Sequence, residues 1–203
     1  MKTRRLLLLP LLLLFVVQLA VPLWQVWQEE NIRREGLAFK LALQPVDPYD
    51  IMRGRYLALG FPAQENGLPV PSGSVEGDTV YAVLETGADG LARVTHLSTT
   101  PLDNAFAVPL VTRLHFPEDG SAAQPVAEVH IPLTRFYLPE DDAIAIDELW
   151  RWRNDDNTPN ISATLGVRVK DGRIVAETLW LNGQPYRDWL REQAARKPAD
   201  QSL

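Results

Sequence analysis

Apolar and polar positions follow two different patterns along the chain, and the change falls near residue 27. Residues 6–27 form an apolar run whose few interruptions are Pro10, Gln18, Pro22 and Gln25. At ~1.5 Å per residue, such a run would be roughly 33 Å long as a helix, enough to cross a bilayer core of about 30 Å. We therefore predict an N-terminal transmembrane helix over residues 1–27.

The two ends of this run give the predicted helix an orientation. Lys2, Arg4 and Arg5 precede it, and basic residues favour the cytoplasmic side of a membrane. Trp24 and Trp27 lie at the other end, where aromatic side chains collect at the water interface. The pattern predicts a single-pass anchor in the inner membrane, with the rest of the chain on the periplasmic or extracellular side.

A cleaved signal peptide and a buried core helix are the alternatives to an anchor. A cleavable signal has an apolar segment of about 7–15 residues, followed by small residues just before the cut. The run here is longer, and a cut after Ala20 would place Gln18 where a small residue is required. These features favour an anchor that stays attached to the domain.

Residues 28–36 predict a helical stalk that continues the anchor. Glu29 with Arg33, and Glu30 with Arg34, are spaced so that opposite charges meet on one face of a helix. Gly36 is a suitable residue to end it. We expect a solvated stalk, with a partner-binding helix as the alternative.

Beyond the stalk, apolar residues alternate with a period of two, which is typical of half-buried strands. Strand-like runs occupy 39–43, 57–61, 79–85, 91–98, 108–116, 126–138, 161–170 and 173–181. Asp-Gly or Asn-Gly turn signals stand at 89–90, 119–120, 171–172 and 182–183. The pattern predicts a mainly β fold over residues 37–190, an antiparallel meander or sandwich-like domain of about eight strands. We also expect a loop over 62–77, a short helix over 144–152 and a mobile tail over 191–203.

The run over residues 161–181 is regular enough to assign a strand register. A two-residue turn at Asp171 and Gly172 would pair the residues that flank it. The predicted pairs are Val169 with Ile174, Val167 with Ala176, Leu165 with Thr178 and Ala163 with Trp180. The odd-numbered residues from Ile161 to Val169 would then share one face, which we predict to face the core.

Composition narrows the classes of function. The three basic residues before the apolar run leave 17 basic against 26 acidic residues in the rest of the chain, a net charge of −9. A nucleic-acid-binding domain needs a basic face, so nucleic acid is not an expected partner. The chain has no cysteine, which excludes thiol nucleophiles, disulfides and thiolate metal sites. His96, His115 and His130 show no ligand spacing, so no metal site is predicted.

The densest group of polar and aromatic residues lies between the first two strands. An aspartate before a proline favours a turn there, a nearby arginine could pair with either aspartate, and a glycine could supply a positive φ. We predict a rigid corner, with a partner- or ligand-binding site and a catalytic carboxylate pair as alternatives. The candidate residues are Asp47, Asp50, Arg53, Gly54 and Tyr56.

This segment resembles the GDYXXLXY family of bacterial membrane-anchored proteins. The matching residues are Gly54, Arg55, Tyr56, Leu59 and Phe61, preceded by Asp47-Pro48, Asp50 and Arg53. Residues 135–140 and 169–185 are also similar to the family. Arg55 and Phe61 stand where the naming motif has an aspartate and a tyrosine, which favours a structural role for the motif.

The resemblance implies a class of protein but no reaction, because the family has no assigned biochemical activity. Its members often lie beside multi-pass membrane proteins, which implies an accessory role and makes such a protein a possible partner. We therefore expect a non-enzymatic envelope protein without catalytic residues, metal or cofactor. A small-ligand-binding module whose pocket includes the corner is one alternative.

A membrane-anchored hydrolase is the other alternative. Ser72 and Ser74 lie in a predicted loop of a chain with an N-terminal anchor, and some membrane peptidases use a lysine to activate such a serine. Lys40 and Lys170 are the lysines of the domain outside the anchor and tail. The residues that follow the serines, 75–77, lack the Met-Pro context of those peptidases, which weakens this alternative.

Overall fold

The structure is a computed structural model that describes residues 2–44, 56–62, 67–115, 124–151 and 161–196. Four of the five predicted corner residues, Asp47, Asp50, Arg53 and Gly54, lie outside these ranges, as does the predicted turn at 119–120. Tyr56 is the fifth corner residue, and the structure places it at the start of a strand.

The described residues contain α1 (Lys2–Glu35), α2 (Glu140–Arg151) and α3 (Tyr186–Arg196). The predicted short helix is thus found, but α2 begins at Glu140 rather than at Ile144. Its first turn carries Glu140, Asp141 and Asp142, whose charges are favourable beside the exposed amides of a helix N-terminus. The predicted boundary of the tail, at residue 191, falls within α3.

α1 joins the predicted anchor and the predicted stalk in one helix. The predicted pair of Glu30 and Arg34 is formed, with 2.7 Å between Oε1 and Nε. Its last two turns pack on the domain rather than standing free in solvent, since Ile32 is 4% exposed and Gln28 accepts a hydrogen bond from Arg173. No helix among the described residues combines the length and the apolar character needed to cross a membrane.

The strands confirm the prediction of a mainly β domain. They are β1 (Leu37–Leu43), β2 (Tyr56–Ala58), β3 (Leu68–Pro69), β4 (Thr79–Thr86), β5 (Ala92–Ser98), β6 (Ala105–Pro109), β7 (Val111–His115), β8 (Gln124–Glu128), β9 (Arg135–Tyr137), β10 (Ala163–Lys170), β11 (Arg173–Leu181) and β12 (Gln184–Pro185). A seven-stranded sheet has the order β12-β11-β10-β1-β5-β4-β6, and β3-β8-β7 and β2-β9 form two smaller sheets.

The prediction of an antiparallel meander is wrong, because the first strand of the domain lies in the middle of the large sheet. β1 pairs antiparallel with β10 along its whole length, and parallel with β5 at Leu41 and Ala92. At the β6 edge, the amide of Ala107 donates to the carbonyl of Gly172 in the β10–β11 turn at 2.8 Å. A meander requires neighbours in sequence to pair, whereas β1 pairs with strands far along the chain.

Several predicted boundaries also differ from the structure. The run over 108–116 is divided at Leu110, which is 2% exposed and whose amide donates to the carbonyl of Asp78 at 2.8 Å. The run over 126–138 is divided between β8 and β9, and the predicted loop over 62–77 contains β3. In the run over 108–116 the period-two pattern continues through Leu110, so the alternation gives no sign of that division.

The predicted register of the β10–β11 hairpin is confirmed next to the turn. Asp171 and Gly172 have φ angles of 51° and 72°, as a two-residue hairpin turn of the favoured type requires. The pairs predicted on either side, Val169 with Ile174 and Val167 with Ala176, are formed.

The predicted register is wrong beyond Gly166, because a β-bulge there adds one residue to β11. Glu177 is the extra residue, so that Leu165 lies opposite Leu179 rather than Thr178, and Ala163 opposite Leu181 rather than Trp180. The bulge moves Trp180 to the outer face, where Lys40 Nζ lies 4.3 Å from its ring centroid. A period-two pattern does not reveal a bulge, because the apolar residues on both sides still alternate.

The predicted core face of β10 is confirmed. Leu165 and Val167 are 0% exposed, and Val169 is 1% exposed. They belong to one cluster of buried residues that reaches from the large sheet to β2, α2 and α3, whose members include Phe106, Leu57, Ile146, Tyr186 and Trp189. This cluster fixes the position of the short β2–β9 ribbon, on which the candidate site lies.

Candidate functional site

Tyr56, the last residue of the predicted corner, lies in a short two-stranded ribbon of β2 and β9, which pairs distant parts of the chain. Tyr56 pairs with Tyr137, Leu57 with Phe136, and Ala58 with Arg135. Directly opposed residues of an antiparallel pair project from the same face, and successive residues from opposite faces. The ribbon therefore has one face with Leu57 and Phe136 and another with the two tyrosines and Arg135.

The inner face attaches the ribbon to the core. Leu57 is 7% exposed, and the Phe136 ring meets the Tyr186 ring edge to face, with centroids 6.4 Å apart and planes at 82°. Tyr186 is the first residue of α3, and its hydroxyl oxygen accepts a hydrogen bond from Arg187 Nε at 2.9 Å. The contact is of a kind that stabilises by about 0.5–1.5 kcal/mol beyond burial.

The outer face presents aromatic and cationic groups to solvent, and we name Tyr56, Arg135 and Tyr137 the tyrosine–arginine patch. The tyrosine rings have centroids 6.2 Å apart with planes at 65°, and Arg135 Cζ lies 4.8 Å from the Tyr56 centroid. Tyr137 is 70% exposed. Tyrosine and arginine are the residue types that most often dominate binding interfaces, because each combines a large apolar surface with hydrogen-bond donors.

Tyr56 is the predicted candidate of this patch, whereas Arg135 and Tyr137 were not predicted. The signal for these two was present in the resemblance of residues 135–140, but no residue pattern predicted that this segment pairs with Tyr56. The patch contains no carboxylate or histidine, and its two rings and its guanidinium are groups that commonly contact a binding partner.

A second feature is a cleft of 1070 Å³ between β1, β5 and the segments around β3 and β8. Its apolar lining includes Leu41, Leu59, Phe61, Leu68, Ile131 and Leu133, and its polar lining consists mainly of Arg93, Arg113, Glu128 and His130. Tyr56 is not among the described residues that line the cleft. Its volume is close to the upper end of the range of small-molecule sites, which are typically apolar with a few polar groups.

Two contacts between charged groups lie at the cleft. Arg93 Nη1 donates to Asp89 Oδ1 at 3.2 Å, and the amide of Leu91 donates to the same oxygen at 3.1 Å. The hydrogen bond from Arg93 and then the Leu91 amide lower the pKa of Asp89 below its usual value of 3.8. His130 Nε2 lies 3.6 Å from Glu128 Oε1 at the exposed edge. Charged groups of both signs thus lie beside the apolar lining of the cleft.

The geometry gives no support to a serine–lysine pair. Ser72 and Ser74 lie in a turn after β3, where the Ser74 amide donates to the carbonyl of Pro71 at 3.1 Å. Lys40 is stacked on Trp180, and Lys170 is paired with Glu35, whose accepted hydrogen bond raises the lysine pKa. A lysine that acts as a base needs a lowered pKa, so the contact of Lys170 opposes that role.

The part of the chain that the structure describes likewise contains no recognisable set of metal ligands. No group of three or more histidine, aspartate or glutamate side chains there is placed to hold a metal ion. His96 Nδ1 has a nearby partner of another kind, the hydroxyl of Thr95 at 3.1 Å.

Comparison with known proteins gave one match. The sequence model of a family described as GDYXXLXY protein matches residues 18–179, which include α1 beyond its first turns and the domain up to β11. No curated protein and no solved structure matches the chain. The matched range contains both strands of the β2–β9 ribbon.

Proposed function

The chain belongs to the GDYXXLXY family, and from that membership we propose that it is a membrane-anchored, non-enzymatic accessory protein. In this proposal α1 holds the protein in the inner membrane, and the domain binds a multi-pass membrane protein on the periplasmic or extracellular side. The observation that carries the proposal is the long apolar surface of α1, which the domain leaves uncovered.

The exposure of α1 supports the membrane part of the proposal. Between residues 13 and 27, its large apolar side chains are 46–66% exposed, including Leu13, Phe15, Leu19, Leu23 and Trp27. Contiguous apolar surface of this kind marks a membrane or protein contact in a stable protein. The basic residues before the run favour a cytoplasmic N-terminus, which would place the domain on the other side.

The tyrosine–arginine patch supports the partner part of the proposal. It is rigidly attached to the core through Leu57 and Phe136, so little conformational entropy would be lost on binding. We propose that a loop of the partner packs on the two tyrosine rings and accepts hydrogen bonds from Arg135. The predicted corner residues Asp47, Asp50, Arg53 and Gly54 lie outside the residues that the structure describes, and they stay candidates for binding the same partner.

Co-purification tests this function directly. Tagged full-length protein would be extracted in mild detergent, and the proteins recovered with it would be identified by mass spectrometry. We expect a stoichiometric multi-pass protein with the wild type, and its loss with Tyr137→Ala. Leu114→Ala is the matched control, since Leu114 is 61% exposed on β7, outside the patch. Absence of any such partner from wild-type samples would contradict the proposal.

The cleft favours a second candidate function, the binding of a small amphipathic molecule. We propose a single-chain lipid, because apolar residues such as Leu41, Phe61 and Leu133 make up much of the lining of the cleft. Filling the cleft with Leu133→Trp should remove the thermal stabilisation that a long-chain fatty acid gives to the wild type, because ligands stabilise only the state that binds them. Leu114→Trp should retain it, and a wild-type melting temperature unchanged by the fatty acid would exclude this function.

A further inference from the structure

The end of α1 is joined to the β10–β11 hairpin by three side-chain contacts. Arg173 Nη1 donates to Gln28 Oε1 at 2.7 Å, Lys170 pairs with Glu35, and Arg168 Nη1 donates to the carbonyl of Gly36 at 3.1 Å. Together with Ile32, which is 4% exposed, these contacts hold the last two turns of α1 against the hairpin. The hairpin turn thus lies beside α1 rather than beyond its end.

No flexible linker separates α1, which ends at Glu35, from β1, which begins at Leu37; we call this junction the joint. The amide of Gly36 donates to the carbonyl of Ile32 at 2.8 Å, and β1 begins at the next residue, with Leu37 opposite Val169. A Cβ at position 36 would lie 2.5 Å from the Ile32 oxygen and 3.0 Å from the Val169 oxygen. Because the helix passes directly into a paired strand, the direction of α1 determines which face of the domain lies nearest to its apolar part.

The hairpin turn lies close to the level of the aromatic pair on α1. Trp24 and Trp27 are in contact, with ring centroids 5.1 Å apart, and are 58% and 57% exposed. Gln28, which holds the Arg173 guanidinium, follows Trp27 by ~1.5 Å along the axis, and helix side chains lean toward the N-terminus. Tryptophan collects at the headgroup level, and each headgroup layer is roughly 5–7 Å thick. If the tryptophan pair lies at the membrane interface, the lipid headgroups would therefore reach the β10–β11 turn.

We propose that the β10–β11 turn, residues 170–173, rests on the membrane surface and that Arg173 binds the phosphate groups of lipids. The proposal rests on the membrane attachment proposed above and adds the face of the domain that meets the lipid. Lys170 is neutralised by Glu35, so Arg173 is the cation that the turn offers. Its guanidinium has five N–H donors in a planar arrangement suited to phosphate, and the Gln28 contact uses one nitrogen.

The structure provides an internal control at the other end of β11. Asn182 and Gly183 have φ angles of 48° and 80°, close to those of Asp171 and Gly172, so the two turns tolerate a substitution similarly. The nine residues of β11 separate them by roughly 30 Å at ~3.3 Å per residue. The chain contains no cysteine, so a single label can be attached at either turn.

Depth-dependent fluorescence quenching tests the proposal. Asp171→Cys and Asn182→Cys variants of the full-length protein would carry a fluorophore and be inserted into vesicles of phosphatidylethanolamine and phosphatidylglycerol. A fraction of the lipid would carry a nitroxide quencher on its headgroup. We expect most of the fluorescence to be lost at position 171 and little to be lost at position 182. Leu37→Cys and Gln184→Cys give a second pair of labels outside the positive-φ positions, for which we expect the same difference.

The possible failures are distinguishable. Protein that does not float with the vesicles would contradict the proposed anchoring, and this inference with it. Protein that floats but is quenched equally at both turns, or more at position 182, would overturn the inference and leave the anchoring intact.

Discussion

The guanidinium of Arg135 lies over the ring of Tyr56, with 4.8 Å from Cζ to the ring centroid. The contact is diagonal across the β2–β9 ribbon, since Arg135 is paired with Ala58 and Tyr56 with Tyr137. Two segments that are far apart in sequence thus form one surface. The same ribbon is attached to the core from its other side, so the position of the surface follows from the fold.

Replacing Arg135 should weaken the binding of the partner much more than it lowers the stability of the fold. Arg135→Ala should lower the free energy of unfolding by only about 0.5–1 kcal/mol, the magnitude of an exposed cation–π contact. The amount of co-purified partner should fall much further, because the variant loses the guanidinium donors of the patch. Urea unfolding and co-purification measure the two effects. Arg191→Ala, whose side chain is 79% exposed on α3, should affect neither, and a large loss of stability in Arg135→Ala would instead indicate a structural residue.

Gly36→Ala should destabilise the protein by about 1–3 kcal/mol, as overpacking against atoms that cannot move generally does. The atoms that the new methyl group meets are backbone oxygens of Ile32 and Val169. Chemical unfolding followed by circular dichroism measures the loss. Gly73→Ala is a useful comparison, since a Cβ at position 73 would have no atom within 4 Å. The only cost there is the backbone strain of an alanine at a φ of 81°. A smaller loss of stability from Gly36→Ala than from Gly73→Ala would mean that the backbone between α1 and β1 shifts to accommodate the methyl group.

Deleting Glu177 should be tolerated. The deletion removes the bulge and keeps Leu165 opposite Leu179, so the core pairs are unchanged. The main loss is the ion pair with Arg168, whose Nε lies 2.9 Å from Glu177 Oε2 on the surface. The free energy of unfolding should therefore fall by about 1 kcal/mol.

Deleting Val175 is the matched control for this prediction. It also removes one residue and the bulge, but it would move Glu177 opposite the buried Val167, on the core face. An unpaired carboxylate there should cost several kcal/mol and prevent stable folding. Unfolding curves of the two deletion variants compare the cases directly, and equal stability would contradict the register described for β11.

Asp89 should contribute to stability in a pH-dependent manner. The hydrogen bond from Arg93 holds the pKa of Asp89 in the folded protein below its usual 3.8. A lowered pKa favours folding at pH values above the usual one, and the contribution is lost as the pH falls through the folded pKa. Asp89→Asn should therefore be less stable than the wild type at neutral pH, with a difference that shrinks in acid. Unfolding of both proteins across this range tests the prediction, and a difference that grows in acid would refute it.

The sequence was sufficient for local structure and insufficient for long-range pairing. The turn at Asp171 and Gly172 and the core face of Leu165 and Val167 follow from turn chemistry and period-two alternation, which are local. The bulge at Glu177 and the central position of β1 depend on contacts between distant strands, which alternation does not encode. The same holds at the site, where Tyr56 was identified but its neighbour Arg135 was not, because only the folded chain brings their strands together.

The central claim, that the tyrosine–arginine patch binds a membrane protein, is tested most directly by cross-linking in intact membranes. A photoreactive amino acid would replace Tyr137, which is 70% exposed, or Leu114, which is 61% exposed outside the patch. We expect position 137 to yield one cross-linked product containing a multi-pass membrane protein and position 114 to yield none. Lack of a product from position 137, or the same product from both positions, would contradict it.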